Sequence, residues 1–158
     1  MKKKILIVML CAIVKVEAQT STFAVSDSLF AKGRYKFALS ELDKKEDSFL
    51  SNYKKAVIYE SIDNYKKATY FLEKAITFKD DEKAKLKLAK NYRALKQSKK
   101  AIQIYEKILA KDSLNLILKY QLGKLYLINR KPKEAVKTFR YLIRNDTTNA
   151  NYFYHLGS

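Results

Sequence analysis

The sequence predicts an all-α chain, an α-solenoid of stacked helix-turn-helix units, on three observations. Leu88, Leu122 and Leu156 stand 34 residues apart, with Ala89, Gly123 and Gly157 one position behind them. Tyr92 and Tyr126, Ala101 and Ala135, and Tyr105 and Phe139 keep the same spacing. A fixed period in this range marks an array whose units are too small to bury their own apolar faces. Within a unit the matching residues fall at helical spacings. With Gly 3 and Pro 1 there are few breakers, and 47% hydrophobic residues suffice for a core.

The first element to set aside is the N-terminus. Met1–Lys4 is basic, Ile5–Val14 is an unbroken apolar run, and Val16-Glu17-Ala18 offers small or modest residues where a signal peptidase reads. This predicts a secretory signal peptide over residues 1–18, cut between Ala18 and Gln19. Ten apolar residues reach about 15 Å as helix against a hydrocarbon core of about 30 Å, so the run is too short to be a membrane anchor. Lipid attachment at Cys11 would want a small residue before it, and Leu10 stands there. The leader carries four of the basic residues and one of the acidic ones, which leaves a net charge of +14 on the remainder from +17 on the whole chain. The remainder has no cysteine. Disulfides and a thiol nucleophile are therefore excluded from it, although export leads to an oxidising compartment.

Residues 19–26 read as a short linker, and the array follows over 27–158. Its first unit, about 27–48, is the weakest: Leu29 and Phe30, a turn at Lys32-Gly33-Arg34, then Tyr35, Ala38 and Leu42. Ala38 precedes Ala68 by only 30 residues, so this unit is shortened in the manner of an N-terminal cap. The second unit, 49–81, carries Ala56, Tyr59, Ala68, Leu72 and Ala75. The third, 82–115, carries Leu88, Ala89 and Tyr92, a polar turn at Lys96-Gln97-Ser98, then Ala101, Tyr105, Ile108 and Leu109. The fourth, 116–149, repeats this with Leu122, Gly123, Tyr126, Ala135, Phe139, Leu142 and Ile143. Small residues at close crossings beside large ones are how thin helical layers reach native density. Lys111-Asp112-Ser113 and Asn145-Asp146-Thr147-Thr148-Asn149 supply oxygens for the free amides of helix starts, and Pro132 sits near the start of a second helix. Residues 150–158 open a further, truncated unit. Its apolar Tyr152, Phe153, Tyr154 and Leu156 predict an array that continues beyond Ser158.

These residues resemble the tetratricopeptide repeat family. Its order of Leu-Gly-x-x-Tyr, then Ala, Phe and Leu stands as Leu122-Gly123-Lys124-Leu125-Tyr126, Ala135, Phe139 and Leu142. Two departures are Lys85 and Lys119 at the family's early aromatic position, and Ser113 and Thr147 in place of its linker proline. The resemblance implies a groove lined by the first helices of successive units, which would hold Lys83, Lys90, Arg93, Tyr120, Lys124 and Leu127. Such a groove suits an extended or helical partner segment with acidic and apolar residues. The alternative is that these lysines are simply a solvated face. The family's Lys/Asn clamp for a terminal carboxylate is not expected. Lys87 and Asn91 are one position out of register, and Lys54 stands where a second Asn would be needed.

Candidates for chemistry are few. His155 is the only histidine, too little for a metal site or a triad, and the three glycines form no phosphate loop. Asp80-Asp81-Glu82 reads as a helix start, where acids favour the positive end, rather than as a metal site. Asn145-Asp146-Thr147 matches a glycosylation sequon but is explained equally by a helix start. A net +14 suggests anionic partners, and nucleic acid would need a helix free to read it, which the array does not leave. An anionic envelope surface is the better match for the charge. The expectation is therefore a scaffold that binds a protein or peptide, with no catalysis, cofactor or metal. Its location would be the periplasm of a Gram-negative bacterium. The alternative is the N-terminal sensory or adaptor region of a longer signalling or envelope-assembly protein.

Overall fold

The computed structural model describes residues 23–157; the leader, its cleavage point and Cys11 lie outside the described residues. Every regular element among them is a helix. Residues 23–31 form α1, followed by α2 Tyr35–Asp43, α3 Phe49–Ser61, α4 Tyr65–Phe78, α5 Glu82–Ala94, α6 Ser98–Lys111, α7 Leu116–Ile128, α8 Pro132–Asn145 and α9 Ala150–Gly157. Each helix packs on the next, so the chain is a stack of α-hairpins, an all-α solenoid. No helix among the described residues is long and apolar enough to cross a membrane.

Residues 23–26 correct the linker reading of 19–26, because they belong to α1. Phe23 and Ser26 are buried, and Phe23 joins Ala38, Leu42 and Ile58 in a cluster with Leu29 and Phe30 packed against it. One helical face thus runs back to Phe23. A second, larger cluster runs from Ala56 in α3 to Tyr152 in α9.

The turn inside each hairpin has one backbone solution. Gly33, Asp63, Lys96 and Arg130 have φ of 70°, 55°, 59° and 55°. The next amide in each case donates back to a carbonyl five residues earlier: Arg34 to Leu29 at 2.8 Å, Asn64 to Tyr59 at 2.9 Å, Gln97 to Tyr92 at 2.7 Å and Lys131 to Tyr126 at 2.8 Å. This is the left-handed helix stop that satisfies two orphan carbonyls. Glycine adopts it freely, whereas each of the other three residues accepts about 1 kcal/mol of strain for it.

Five residues after each left-handed residue comes a fully buried alanine: Ala38, Ala68, Ala101 and Ala135, all 0% exposed. The missing side chain lets paired helices cross closely. On the facing first helices the same demand is met by Ala56, Ala89 and Gly123; Gly123 is set against Phe139, and the buried Leu72 and Tyr105 hold the register positions of Phe139 in the two preceding units. At Gly123 the crossing is tightest, since a Cβ there would lie 2.9 Å from Cζ of the buried Phe139 ring.

Helix starts are capped from the sequence. Ser48 and Ser51 form a reciprocal capping box at α3, Asn64 accepts from Lys67 N–H, Asp81 from Ala84 N–H at 3.0 Å and Asn115 from Leu118 N–H at 2.9 Å. Asn115 therefore caps α7, while Asp112 accepts from Leu114 N–H in the preceding turn. Asn145 ends α8 and donates to the Tyr141 carbonyl. The shortening of the first unit falls in α2, which has 9 residues where α4, α6 and α8 have 14. Side chains replace the absent turn: Asn52, 0% exposed, donates to the Ser48 carbonyl at 2.8 Å and to Asp47, and Lys55 reaches Asp43 at 2.7 Å.

Two outcomes follow. Gly123→Val forces branched carbon into the Phe139 ring, and we expect a loss of about 3 kcal/mol, or roughly 10 °C in Tm, by thermal melting; an unchanged Tm would refute the crossing. Asp47, Asp80, Asp81 and Asp146 are all held below the ordinary 3.8, chiefly by hydrogen bonds from Lys74, from Lys85, from Ala84 N–H and from Thr148 respectively. Their folded values lie under the unfolded one, so this stabilisation is complete above about pH 4 and is lost as pH falls through the folded values. Asp81→Asn keeps the capping oxygen and should flatten the acid limb of a Tm–pH profile, whereas Asp81→Ala should cost about 1 kcal/mol at neutral pH.

Candidate functional site

The first helices of successive units are tied to one another by polar rungs. Lys54 Nζ donates to Asp27 Oδ1 at 2.6 Å, Lys87 Nζ to Glu60 Oε2 at 2.7 Å, and Arg93 Nη1 to Gln121 Oε1 at 3.3 Å. The partners lie 27, 27 and 28 residues apart, which is one repeat less about two helical turns. The rungs put α1, α3, α5 and α7 side by side on one face of the array.

Two cavities open on that face. Between α1 and α3, a pocket of about 280 Å³ is walled by Phe30, Leu50, Tyr53, Val57 and Ile58. Between α5 and α7, a shallow groove of about 640 Å³ is lined by Lys90, Arg93, Lys96, Leu125, Ile128 and Asn129. Ile128 is 68% exposed, an aliphatic side chain presented to solvent beside three cations. Neither Lys90 nor Lys96 is paired with a carboxylate among the described residues, and Arg93 is held by the neutral Gln121.

The six residues expected from the sequence separate into three groups. Lys90 and Arg93 share the α5–α7 groove. Tyr120 and Lys124 stand together further along α7, with Lys124 Nζ 4.7 Å from the centre of the Tyr120 ring. That ring packs against Phe139, Tyr152 and His155, so Tyr120 is half core. Leu127 is half-buried against the main cluster, and Lys83 is exposed at the start of α5, away from both cavities. Sequence reasoning missed Lys96, Leu125, Ile128 and Asn129. The available signal was Ile128, an aliphatic residue in the last turn of a helix next to a polar stop.

A larger groove of about 820 Å³ lies on the other side of α5, between α4 and α6. Tyr92 forms one wall and its hydroxyl donates to Glu73; Tyr126 repeats the bond to Glu106 at 2.7 Å. Burial first, and then the adjacent carboxylate, pushes both phenols well above their ordinary 10.0. Their protons stay in place as donors throughout the neutral range. His155 stacks 5.3 Å from Phe139, a packing position. Among the described residues no group of three or more His, Cys, Asp or Glu is placed to hold a metal, and Asp80 and Asp81 are engaged by Lys85 and by the α5 cap.

Two family models described as tetratricopeptide repeat match the chain, one over residues 50–82 and the other over 83–113. Among solved structures, MamA from residue 41 to its end, from Desulfovibrio magneticus RS-1, superposes with a TM-score of 0.71 at 17% identity, covering 87% of this chain and 81% of that one. YrrB, described as a TPR protein with an unusual peptide-binding site, superposes with a TM-score of 0.71 at 20% identity, covering 86% and 73%. The C-terminal part of a TPR repeat-containing protein from Cytophaga hutchinsonii gives 0.65 at 24% identity, covering 85% and 55%. At these identities the likeness is one of fold. No curated protein matches the sequence.

Proposed function

We propose, for a chain that belongs to the tetratricopeptide repeat family through the units at 50–82 and 83–113, that it acts as a non-catalytic scaffold holding a partner protein or peptide on its first-helix face. The observation that carries this reading is the α5–α7 groove, where Lys90, Arg93 and Lys96 line the space around the solvent-facing Ile128, with the buried Leu125 at its floor. Cations with no carboxylate partner among the described residues, set around exposed aliphatic carbon, suit an extended segment that offers carboxylates at its edges and an apolar side chain between them. The α1–α3 pocket, with Lys54 at its rim, would take a second apolar side chain of the same segment. Rim charges act mainly on association rate and salt dependence, the apolar contact on residence time.

The compartment follows from the leader reading of residues 1–18: export, with the scaffold acting in the envelope of a Gram-negative cell. A net +14 on the exported part would in addition favour peripheral contact with an anionic envelope surface.

Two measurements test these readings. Lys90→Glu combined with Arg93→Glu should leave helicity and Tm unchanged and weaken capture of partners from an envelope extract by about tenfold, with the remaining binding less salt-dependent. Unchanged capture would remove the first-helix groove from the reading. N-terminal sequencing of the exported protein should begin at Gln19, and a chain retaining Met1 would refute the cleavage.

A further inference from the structure

The groove between α4 and α6 differs from its counterparts along the same array. Its floor is Ile76, Leu88, Ile104 and Ile108, and α6 lays Lys100, Ile104, Lys107, Ile108 and Lys111 along it at helical spacing, cations alternating with aliphatic carbon. At about 820 Å³ it lies within the range of sites that take a ligand or a partner's side chains.

The position of Lys107 tells the units apart. One unit earlier the equivalent residue is Lys74, which pairs with Asp47. One unit later it is Tyr141, whose ring lies 4.0 Å from Lys119 Nζ. At each of those positions the chain itself supplies the partner. Lys107 has no carboxylate or ring partner among the described residues, and the slot beside it stays open. Of the three acids on the lining, Glu73 accepts from the Tyr92 hydroxyl, Asp80 pairs with Lys85 and, at 3.5 Å, with Lys111, and Glu82 stands in the first turn of α5, so four lysines there meet three carboxylates. Lys100 Nζ sits 4.9 Å above the centre of the Tyr92 ring, at the mouth of the groove. The charge left unanswered is therefore positive, and it borders apolar floor on one edge of a helix about 21 Å long.

We propose that the α4–α6 groove is a second docking site, separate from the first-helix face, for an amphipathic helix of a partner whose apolar stripe is flanked by carboxylates. The apolar stripe covers Ile76, Ile104 and Ile108, and a carboxylate takes, at Lys107, the place that Asp47 holds at Lys74. Helix-in-groove docking uses this combination of i, i+3, i+4 and i+7 anchors with charged flanks.

The probe is a dye-labelled, hydrocarbon-stapled helical peptide of about four turns, with Leu at i, i+3, i+4 and i+7 and Glu on both flanks. It is titrated by fluorescence anisotropy against the purified exported chain. Saturable binding is expected, weakened about tenfold or more in Lys100→Glu/Lys107→Glu. A companion peptide with Lys flanks should recover binding to that variant, a charge swap that a merely structural effect would not produce. Lys90→Glu/Arg93→Glu should bind the Glu-flanked peptide as the unchanged protein does, so this site and the first-helix face stand or fall separately. Absence of saturable binding, equal binding by the Lys100/Lys107 variant, or loss confined to the Lys90/Arg93 variant would overturn the proposal. So would Lys107-dependent retention on phosphatidylglycerol vesicles without peptide binding, or Lys107-dependent self-association, which would assign the groove to lipid or to a second copy.

Discussion

The architecture depends on the close crossing of the two helices in each hairpin. Ala38, Ala68, Ala101 and Ala135 are each fully buried, and each lies five residues after a left-handed turn residue. The fixed interval means that turn and crossing form a single unit. The turn sets where the second helix begins, and the alanine sets how near it comes. Variation in repeat length falls outside that unit. The first hairpin keeps the Gly33-to-Ala38 interval and gives up the end of α2 instead, with Ser48, Ser51, Asn52 and Asp47 supplying the hydrogen bonds of the absent turn. The volume removed at the Gly123 crossing returns on the facing helix as Phe139, and by repeat register Leu72 and Tyr105 stand in the same relation to Ala56 and Ala89. The glycine meets a ring, so the smallest residue faces one of the largest, as close packing demands.

Once the crossing fixes the rotation of every helix, the remaining positions divide between two outward sides. On one side Lys54–Asp27, Lys87–Glu60 and Arg93–Gln121 join first helices. Toward the other, Tyr92–Glu73 and Tyr126–Glu106 join each first helix to the second helix of the unit before it. The two sets differ physically. The rungs are partly exposed and worth at most about 1 kcal/mol each, whereas the phenols are buried and their hydroxyls need an acceptor. The tyrosine bonds therefore belong to the stacking of units, and the rungs belong to the face.

The solenoid was legible because its determinants are periodic. Leu88, Leu122 and Leu156, and the small residues behind them, identify both the hairpin and the face it buries. The short first unit was legible from the interval between Ala38 and Ala68. Phe23 was missed because it is the one buried apolar residue of α1 before Leu29, too few to show a period. The backbone at Lys96 was read only as a polar turn and Arg130 was not singled out, since nothing in a lysine or arginine announces a left-handed residue as Gly33 does. The groove was legible only in part. Lys90 and Arg93 follow from repeat register, but Leu125, Ile128 and Lys96 join them through the geometry of a helix end against the next helix. Tyr120 and Leu127 show the converse: register puts them on the open face, and their size leaves both half-buried against the core.

Positions 74, 107 and 141 explain why the fold is easier to read than the partner. They occupy the same place in successive units and carry Lys paired with Asp47, Lys without a carboxylate or ring partner among the described residues, and Tyr under Lys119. Exchanging an exposed pair for a lone cation costs little, because solvent screens surface charges, so the array tolerates any of the three. A side chain added at the tightest crossing, Gly123, would instead displace a buried ring at a cost of about 1–3 kcal/mol. Stability therefore holds the crossing residues to their period and leaves the groove residues free to differ between units. A partner can be recognised only by what differs between units, because features common to all would give it no unique register. The α4–α6 groove meets that condition: at position 107 a cation without a carboxylate or ring partner among the described residues lies beside aliphatic floor, whereas the chain itself supplies the partner at positions 74 and 141.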